Sequence, residues 1–236
     1  MPSDIHSSFV LKKAALRGQT QLDWLKSYHT FSFGDYYDPH WKQFQTLRVI
    51  NEDWIEPASG FGSHPHHDME IITYVISGTL EHQDSIGNKY LIRAGEVQRM
   101  TAGTGIVHSE YNSSLEPVHL YQIWILPNQK GLQSSYEQKS FLKNKNDMIL
   151  IASPDGQNQS LQIHQNVYLY KGKFFDQSSI RYNIRQGYSV WLQVVQGEII
   201  LNDFILENGD GLAIEHTTVL CLESKTQAEF LLFELI

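Results

Sequence analysis

The sequence of 236 residues is poor in cysteine and in basic residues, and each deficit excludes a class of protein. Its single cysteine, Cys221, cannot form an intrachain disulfide, which excludes a small secreted scaffold held together by disulfides. Lys and Arg total 18 against 26 Asp and Glu, and the formal net charge of −8 disfavours nonspecific binding to nucleic acid.

Long apolar runs are also missing from the sequence. No segment approaches the roughly 18 uninterrupted apolar residues that a membrane-spanning helix requires. The first residues, MPSDIHSSFVLKKAALRG, lack the apolar centre of a signal peptide. We therefore expect a cytoplasmic protein with no membrane and no nucleic acid among its partners.

Helical periodicity is scarce, and the best candidate is the short segment Gln21–Ser27 around DWLKS. Runs rich in β-branched and aromatic residues recur instead, separated by Gly, Asn, Asp or Pro clusters. This pattern predicts an antiparallel all-β fold. The predicted strands are Phe44–Ile50, Ile71–Ile76, Tyr90–Ile92, Val118–Leu126, Met148–Ile151, Val167–Tyr170, Val190–Val195, Glu198–Leu201, Leu212–Ile214, Val219–Leu222 and Phe230–Leu235.

The two halves of the sequence share one pattern of strands and glycines. In YVISGTLEHQDSIGNKYLIRAGEV, Gly78 follows one predicted strand and Gly95 follows the next hairpin. VVQGEIILNDFILENGDGLAI repeats this order with Gly197 and Gly209. The repeat predicts two tandem β-barrels of the same design, which we place in residues 1–136 and 137–236.

Three histidines cluster in GFGSHPHHDMEIITYV, directly before a predicted strand. Because side chains alternate across a strand, His64 and His66 share a face and His67 points away from it. In TAGTGIVHSEYN, His108 and Glu110 are also separated by one residue and share a face. Two strands of one barrel that each direct two ligands inward could hold one metal ion.

The types of ligand narrow the choice of metal. Imidazole nitrogens with one carboxylate suit Fe(II), Ni(II), Cu(II), Mn(II) or Zn(II), and argue against calcium and magnesium. A closed structural zinc site is disfavoured, because such sites usually recruit thiolates and Cys221 stands alone. Glu70 shares the parity of the two paired histidines, so spacing alone does not choose between Glu70 and Glu110 as the carboxylate ligand. The other one would hydrogen-bond to a histidine and orient it.

These residues resemble the cupin superfamily and, within it, the pirin family. The stretch GFGSHPHHDMEIITYVISGTLEHQDSIGNKYLIRAGEVQRMTAGTGIVHSEYN is similar to the pirin signature over its whole length. RGQTQLDWLKSYHTFSFGDYYDPHW and LYQIWILP extend the similarity, which covers residues 17–127 almost continuously. The C-terminal half matches more loosely.

The resemblance implies a bicupin, two antiparallel β-barrels of jelly-roll type with a metal in the N-terminal barrel only. It implies one divalent transition metal, Fe(II) before nickel, copper, manganese, zinc or cobalt. The ligands that it implies are His64, His66, His108 and Glu110. Counting along the repeat supports a second barrel without such ligands. The corresponding positions there are Asn183, Arg185, Leu222 and Ser224.

The resemblance also implies an enzyme, a metal-dependent oxidoreductase similar to quercetin 2,3-dioxygenase. Its partners would be a small aromatic substrate and O2: the heterocyclic ring of a flavonol would be opened and carbon monoxide released. Glu110 is the candidate base for the substrate hydroxyl, and Glu70 takes that role if it is not a ligand. The aromatic-rich segment Tyr28–Tyr37 is a candidate wall of the pocket, although ordinary core packing explains it equally well.

Two other functions stay open at this level. Some pirin family members act through protein partners, with the oxidation state of the iron changing the surface presented. The chain is therefore alternatively a metal-dependent redox-sensing or regulatory protein whose partner is unidentified. Another cupin reaction, on a small oxo-acid or sugar, would need a cationic anchor, for which Arg99 is the candidate.

Overall fold

The computed structural model describes residues 8–142, 147–175 and 177–236, and it confirms the all-β prediction. Two short 3₁₀ turns, Ala14–Leu16 and Gln157–Gln159, accompany the strands. The strands of the first half are β1 Ser8–Lys12, β2 Gly18–Gln21, β3 Leu25–His29, β4 Leu47–Ile55, β5 Ser59–His66, β6 Glu70–Ser77, β7 Thr79–Asp84, β8 Lys89–Arg93, β9 Glu96–Thr101, β10 Ile106–Asn112 and β11 Val118–Ile125. Those that follow are β12 Ser135–Ser140, β13 Asp147–Ser153, β14 Leu161–Gln162, β15 Val167–Phe174, β16 Ser178–Asn183, β17 Ser189–Gln196, β18 Ile199–Leu201, β19 Phe204–Leu206, β20 Gly211–Glu215, β21 Val219–Ser224 and β22 Ala228–Leu235.

The described residues fall into two compact units. The first unit contains residues 18–142 and 153–166, and the second contains the described parts of 1–17, 143–152 and 167–236. The domain bounds 1–136 and 137–236 stay a prediction. Near those bounds, β12 pairs with β9 and belongs to a sheet of the first unit, whereas β1 pairs with β20 in a sheet of the second.

The two units repeat one arrangement of antiparallel strands. In the first, one sheet runs β12-β9-β6-β11-β4-β3-β2 and a smaller one runs β5-β10-β7-β8. In the second, the corresponding orders are β1-β20-β17-β22-β15-β13 and β16-β21-β18-β19. The repeat read from the sequence is therefore a repeat of topology, and the prediction of two antiparallel units of the same design is confirmed.

The glycines of the repeat occupy equivalent turns. Gly78 and Gly197 both have φ of +79°, a left-handed conformation that side chains rarely adopt. A Cβ on Gly78 would lie 2.8 Å from the carbonyl oxygen of Pro117, and one on Gly197 would lie 2.3 Å from that of Gln227. Only glycine fits both turns, so these residues mark the repeat for a physical reason.

The helical prediction for residues 21–27 is wrong. This segment forms the turn and one arm of a hairpin in which β2 pairs with β3, with Leu22 N–H donating to the carbonyl of Leu25. A single turn of helix is unstable by itself, and here β4 pairs with β3 and satisfies its backbone. Tertiary pairing therefore decides the local structure.

The interiors of the two units differ in polarity. The second unit is filled by an apolar cluster that includes Val190, Leu192, Leu212, Phe230 and Leu232. In the first unit, strand register aligns five polar side chains across five neighbouring strands, which we call the polar row. Its members, in order from β9 to β3, are Gln98, Thr73, Gln122, Asn51 and His29.

No helix among the described residues is long and apolar enough to cross a membrane.

Candidate metal centre

Neighbouring strands β5 and β10 bring three imidazoles together. His108 lies directly opposite His64 in the antiparallel pair, and His66 lies two residues further along β5. One ring nitrogen from each of the three lies within 4.8 Å of the others. His67 points away, with 82% of its side chain exposed, as strand alternation predicted.

Glu110 reaches the same region after an irregularity in strand pairing. His108 pairs with His64 but Glu110 pairs with Phe61, so a β-bulge lies between the two inward residues of β10. Glu110 is buried and forms a second group with His82 and His108, whose candidate ligand atoms again lie within 4.8 Å of one another. His108 belongs to both groups and connects them.

A chain of hydrogen bonds sets the tautomer of His108. His82 Nε2 donates to Asp84 Oδ2 at 3.0 Å, which leaves His82 Nδ1 as an acceptor. His108 Nδ1 lies 3.5 Å from that atom and donates to it. The proton of His108 therefore lies on Nδ1, and its buried Nε2 has no hydrogen-bond partner among the described residues. A lone pair held this way suits a metal ion.

Burial and neighbouring rings keep His66 and His108 neutral. Burial, together with the neighbouring rings of His64 and His82, lowers the pKa of His108 to about 3. Burial and the rings of His108 and His64 lower the pKa of His66 to about 4. His64 Nδ1 donates to the carbonyl of Gly62 at 2.8 Å, so its Nε2 is the nitrogen available to a ligand. Neutral imidazoles with free lone pairs are what a divalent metal requires.

The polar row holds the carboxylate of Glu110. Gln122 Nε2 donates to Oε2 at 2.7 Å, while the Thr73 hydroxyl and Gln98 Nε2 donate to Oε1 at 3.3 and 3.4 Å. Gln122 is itself oriented by Trp124, whose indole N–H donates to its Oε1 at 3.0 Å. Glu110 is thus fixed on both oxygens. With the imidazoles, it gives this cluster the donor set of a divalent-metal centre.

The expectation that Glu70 faces the imidazoles is wrong. Strand β5 ends at His66, and Asp68 turns the chain with φ of +48°. Strand β6 then lies in the other sheet. The alternation of side chains along β5 therefore does not predict the direction of Glu70. Glu70 instead accepts from Thr101 at 3.1 Å and lies 3.5 Å from His164 Nδ1. On β6, the side chain of Thr73 is the one that faces Glu110, and Thr73 is three residues from Glu70 and therefore on the opposite face of the strand.

A cavity of about 530 Å³ opens onto the cluster. This volume lies within the range of roughly 300–1,000 Å³ that is typical of small-molecule sites. Part of its wall is formed by His64, His66 and Glu110, and another part carries Ser27, His29, Asn51 and Asp53. The remaining wall is largely apolar and includes Leu22, Trp24, Leu25, Phe33, Phe61 and Trp124.

Two candidates from the sequence have other positions. Of the aromatic residues in Tyr28–Tyr37, Phe33 lines the cavity, while Tyr28 packs edge-on against Trp54. Arg99 is buried away from the cavity, where it donates to Thr101 and Ser135. It therefore does not supply the cationic anchor that a small oxo-acid would need.

Sequence reasoning missed His82, Asp84 and Asp53. His82 and Asp84 alternate on β7 with the parity of inward side chains, and each lies opposite an inward residue of β10. Polar residues at alternating positions of a strand between hairpin turns would have been the signal. Asp53 lies on β4, LRVINEDWI, directly after two other polar residues, Asn51 and Glu52. Nothing in this run singles out Asp53, and only the pairing of β4 with β3 places it opposite Ser27.

Comparison with known proteins agrees with this geometry. The pirin family profile matches residues 11–125, and a profile described as quercetinase C-terminal cupin domain matches residues 150–235. Quercetin 2,3-dioxygenase of Escherichia coli K12 is 48% identical over 226 residues, which is 95% of this chain and 97% of that protein. A protein of Pasteurella multocida named putative quercetin 2,3-dioxygenase is also 48% identical, over 91% of this chain and 93% of its own length.

Solved structures show the same relationship. The crystal structure of bacterial pirin YhhW from E. coli in complex with nickel(II) superposes with a TM-score of 0.93 at 47% identity, covering 97% of this chain and 99% of that one. With this similarity over nearly the whole chain, and with the imidazole and carboxylate cluster in place, the protein belongs to the pirin family.

Proposed function

We propose that the protein is a metal-dependent dioxygenase that opens the heterocyclic ring of a flavonol such as quercetin. The observation that carries this proposal is the cluster of three imidazoles and a fixed carboxylate that opens directly into a cavity with an aromatic wall. The names of the E. coli and P. multocida relatives support the substrate class. Addition of O2 across the ring and loss of carbon monoxide would give a depside ester.

The proposed ligands are Nε2 of His64 and His108, the facing nitrogen of His66, and the carboxylate of Glu110. Fe(II) is the proposed native metal, and the nickel complex of YhhW supports a site that accepts other divalent ions. When bound, the metal supplies Lewis-acid stabilisation of the flavonolate oxygen and a meeting point for O2. Four protein ligands leave positions open on a metal that takes five or six.

The chain supplies binding and orientation. Trp124 lies edge-on to His66, with ring centroids 5.0 Å apart, and Phe33 lies edge-on to Trp124 at 5.5 Å. These rings form an apolar wall beside the ligands, against which a planar flavonol can pack. The same wall limits the access of water to the substrate oxygen, which strengthens electrostatic interactions there.

The test is turnover of quercetin by protein that has been loaded with Fe(II). We expect about one metal per chain, loss of the quercetin absorbance, consumption of O2 and release of carbon monoxide. His64→Ala should lose both the metal and the activity. His67→Ala removes an exposed imidazole three residues away and should keep both.

Two results would contradict the proposal. Wild-type protein with a full complement of metal that leaves quercetin unchanged in air would exclude the flavonol reaction. Equal turnover by wild type and His64→Ala would show that any loss of quercetin arises elsewhere than at this centre.

A further inference from the structure

Asp53 is a carboxyl group that the metal ligands do not explain. It lies on β4, is 2% exposed, and lines the cavity that also contains Glu110. The Ser27 hydroxyl donates to its Oδ1 in a short hydrogen bond, and no described residue donates to Oδ2. Burial of a carboxylate with one oxygen unused favours its protonated form, so this group can accept a proton.

The surroundings of Asp53 differ from those of Glu110. Both oxygens of Glu110 accept hydrogen bonds from the polar row, which leaves that carboxylate poorly placed to receive a proton. Burial raises the pKa of Asp53 to about 7, with the negative charges of Glu110 and Glu52 acting in the same direction and the Ser27 hydroxyl acting against them. Two carboxyl groups in one cavity with unlike surroundings are typical of divided roles.

The groups that face Asp53 come from each neighbouring strand. On β3, His29 lies beside Ser27, with its Nδ1 3.4 Å from the Ser27 hydroxyl. On β11 the residue opposite Asp53 is Leu120, which is uncharged. Across the cavity lie Glu110 and the two histidines of β5. No described cation forms an ion pair with Asp53, so a proton is its natural counter-charge.

We propose that Asp53 accepts the proton of the flavonol hydroxyl that faces the candidate metal ligands. The O–H bond of the flavonol breaks, its electron pair stays on the flavonol oxygen, and the proton goes to Oδ2 of Asp53. No oxidant or reductant takes part in this step. Glu110 is then a ligand that does not have to dissociate to act as base. This inference rests on the proposed flavonol reaction.

The primary test is Asp53→Asn, which keeps the shape of the side chain and removes the acceptor. General-base catalysis typically contributes 10²–10⁴-fold, so we expect kcat for quercetin to fall by at least about 100-fold. The metal content and KM should change little. Glu52→Gln is the comparison: this neighbouring carboxyl lies on the other face of β4 and pairs with His119 at 3.0 Å. It removes only a secondary influence on the pKa of Asp53 and should lower kcat far less than Asp53→Asn does.

A second readout does not depend on turnover. Quercetin is added anaerobically to protein loaded with Zn(II), which has no redox chemistry. Ionised flavonol absorbs at longer wavelength than the neutral form, so stopped-flow absorbance follows the loss of the proton after mixing. The anion band should form at least about 100-fold more slowly in Asp53→Asn than in wild type. Ser27→Ala keeps the carboxyl and removes the donor that lowers the pKa of Asp53, and should move the pH at which the band forms at its full rate to a higher value.

The outcomes separate the two proposals. Wild type that fails to turn over quercetin overturns the flavonol reaction and, with it, the inference. If wild type is active and Asp53→Asn matches it in kcat and in the rate at which the anion band forms, the inference about Asp53 is wrong while the flavonol reaction stands. Low activity in Asp53→Asn with an anion band that forms at the wild-type rate would also overturn the inference, because the proton would then have left without Asp53.

Discussion

Asp53 makes the stability of the protein depend on pH. Burial raises its pKa from 3.8 to about 7, so between these values the folded chain keeps a proton that the unfolded chain has lost. The free energy of unfolding therefore falls as pH rises through this window, by up to about 1.4 kcal/mol per unit and a few kcal/mol in total. The stabilising contribution is fully present below pH 4 and is lost above pH 7.

Asp53→Asn should remove this dependence. The unfolding free energy of the variant, minus that of wild type, should increase by a few kcal/mol from pH 4 to pH 8. Chemical denaturation of metal-free protein at both pH values measures the gain. A difference between the two proteins that does not change with pH would show that Asp53 titrates normally.

His82 should act on the metal through His108. His82→Phe fills the same buried space but removes the acceptor for His108 Nδ1, so the ring is no longer held in the metal-binding tautomer. Loss of such a partner typically weakens metal binding 10–100-fold. Competition with a chelator measures the affinity.

A matched control for this prediction is His119→Phe. The Nε2 of His119 lies 3.0 Å from a carboxylate oxygen of Glu52, the same distance that joins His82 to Asp84. Equal losses of metal affinity in the two variants would mean that His82 acts only through general stability.

For single residues, the alternation of side chains predicts which face each one takes within a strand, but it does not hold across a turn. It separates His64 and His66 from the exposed His67, because all three lie in β5 or directly beside it. It misplaces Glu70, because Asp68 reverses the chain and β6 joins another sheet. Positive φ at a non-glycine residue is not readable from the sequence alone.

Among the elements, the pairing of β5 with β10 depends on one glycine. A Cβ on Gly60 would lie 2.2 Å from the carbonyl oxygen of Glu110, a backbone atom that cannot move aside. Gly60→Ala should therefore push the two strands apart at the metal ligands. We expect a loss of about 1–3 kcal/mol of stability, as for overpacking elsewhere, and a lower metal content.

Gly62→Ala provides the comparison for that variant. Gly62 lies two residues further along β5, and no atom lies within 4 Å of the position a Cβ would take. Thermal unfolding and metal analysis of both variants should separate them clearly. Similar behaviour of the two would refute the claim that close approach of the backbones requires Gly60.

The strands that carry the site are the ones that sequence propensity misses. Apolar strands such as β11 and β22 are predicted close to their observed bounds. Strands β5 and β10 read SGFGSHPH and IVHSEYN, and glycine, proline and polar ligands have low strand propensity. Their extended structure comes from pairing with each other and with β7, which is a tertiary effect.

For the molecule as a whole, the second unit contains an extensive apolar cluster and the first unit contains the candidate metal ligands. Leu192 lies fully buried in the apolar cluster of the second unit, so Leu192→Ala should cost about 2–5 kcal/mol of unfolding free energy. The folded fraction should keep its full metal content, because the candidate ligands all lie in the first unit. Denaturation combined with metal analysis measures both.

Leu115→Ala removes the same atoms from a side chain that is 92% exposed and should change stability by less than about 0.5 kcal/mol. Loss of metal from folded Leu192→Ala would show that the second unit contributes to the centre.

The repeat itself was readable from the sequence, because its glycines are required by backbone conformation. The pairing of residues 8–12 with β20 was not predictable, because the local sequence SFVLK contains no signal for its partner strand.

The two ends of the polar row have different roles in the first unit, so substitutions at one end need not affect the other. At one end, Gln98 and Thr73 hold the carboxylate of Glu110; at the other, Asn51 and His29 face the cavity beside Asp53. Substitutions at the β3 and β4 end can reshape what the cavity accepts without touching the groups that hold the ligand carboxylate. A pirin scaffold of this kind can therefore diverge in substrate, by natural drift or by directed evolution, while its metal chemistry stays constant.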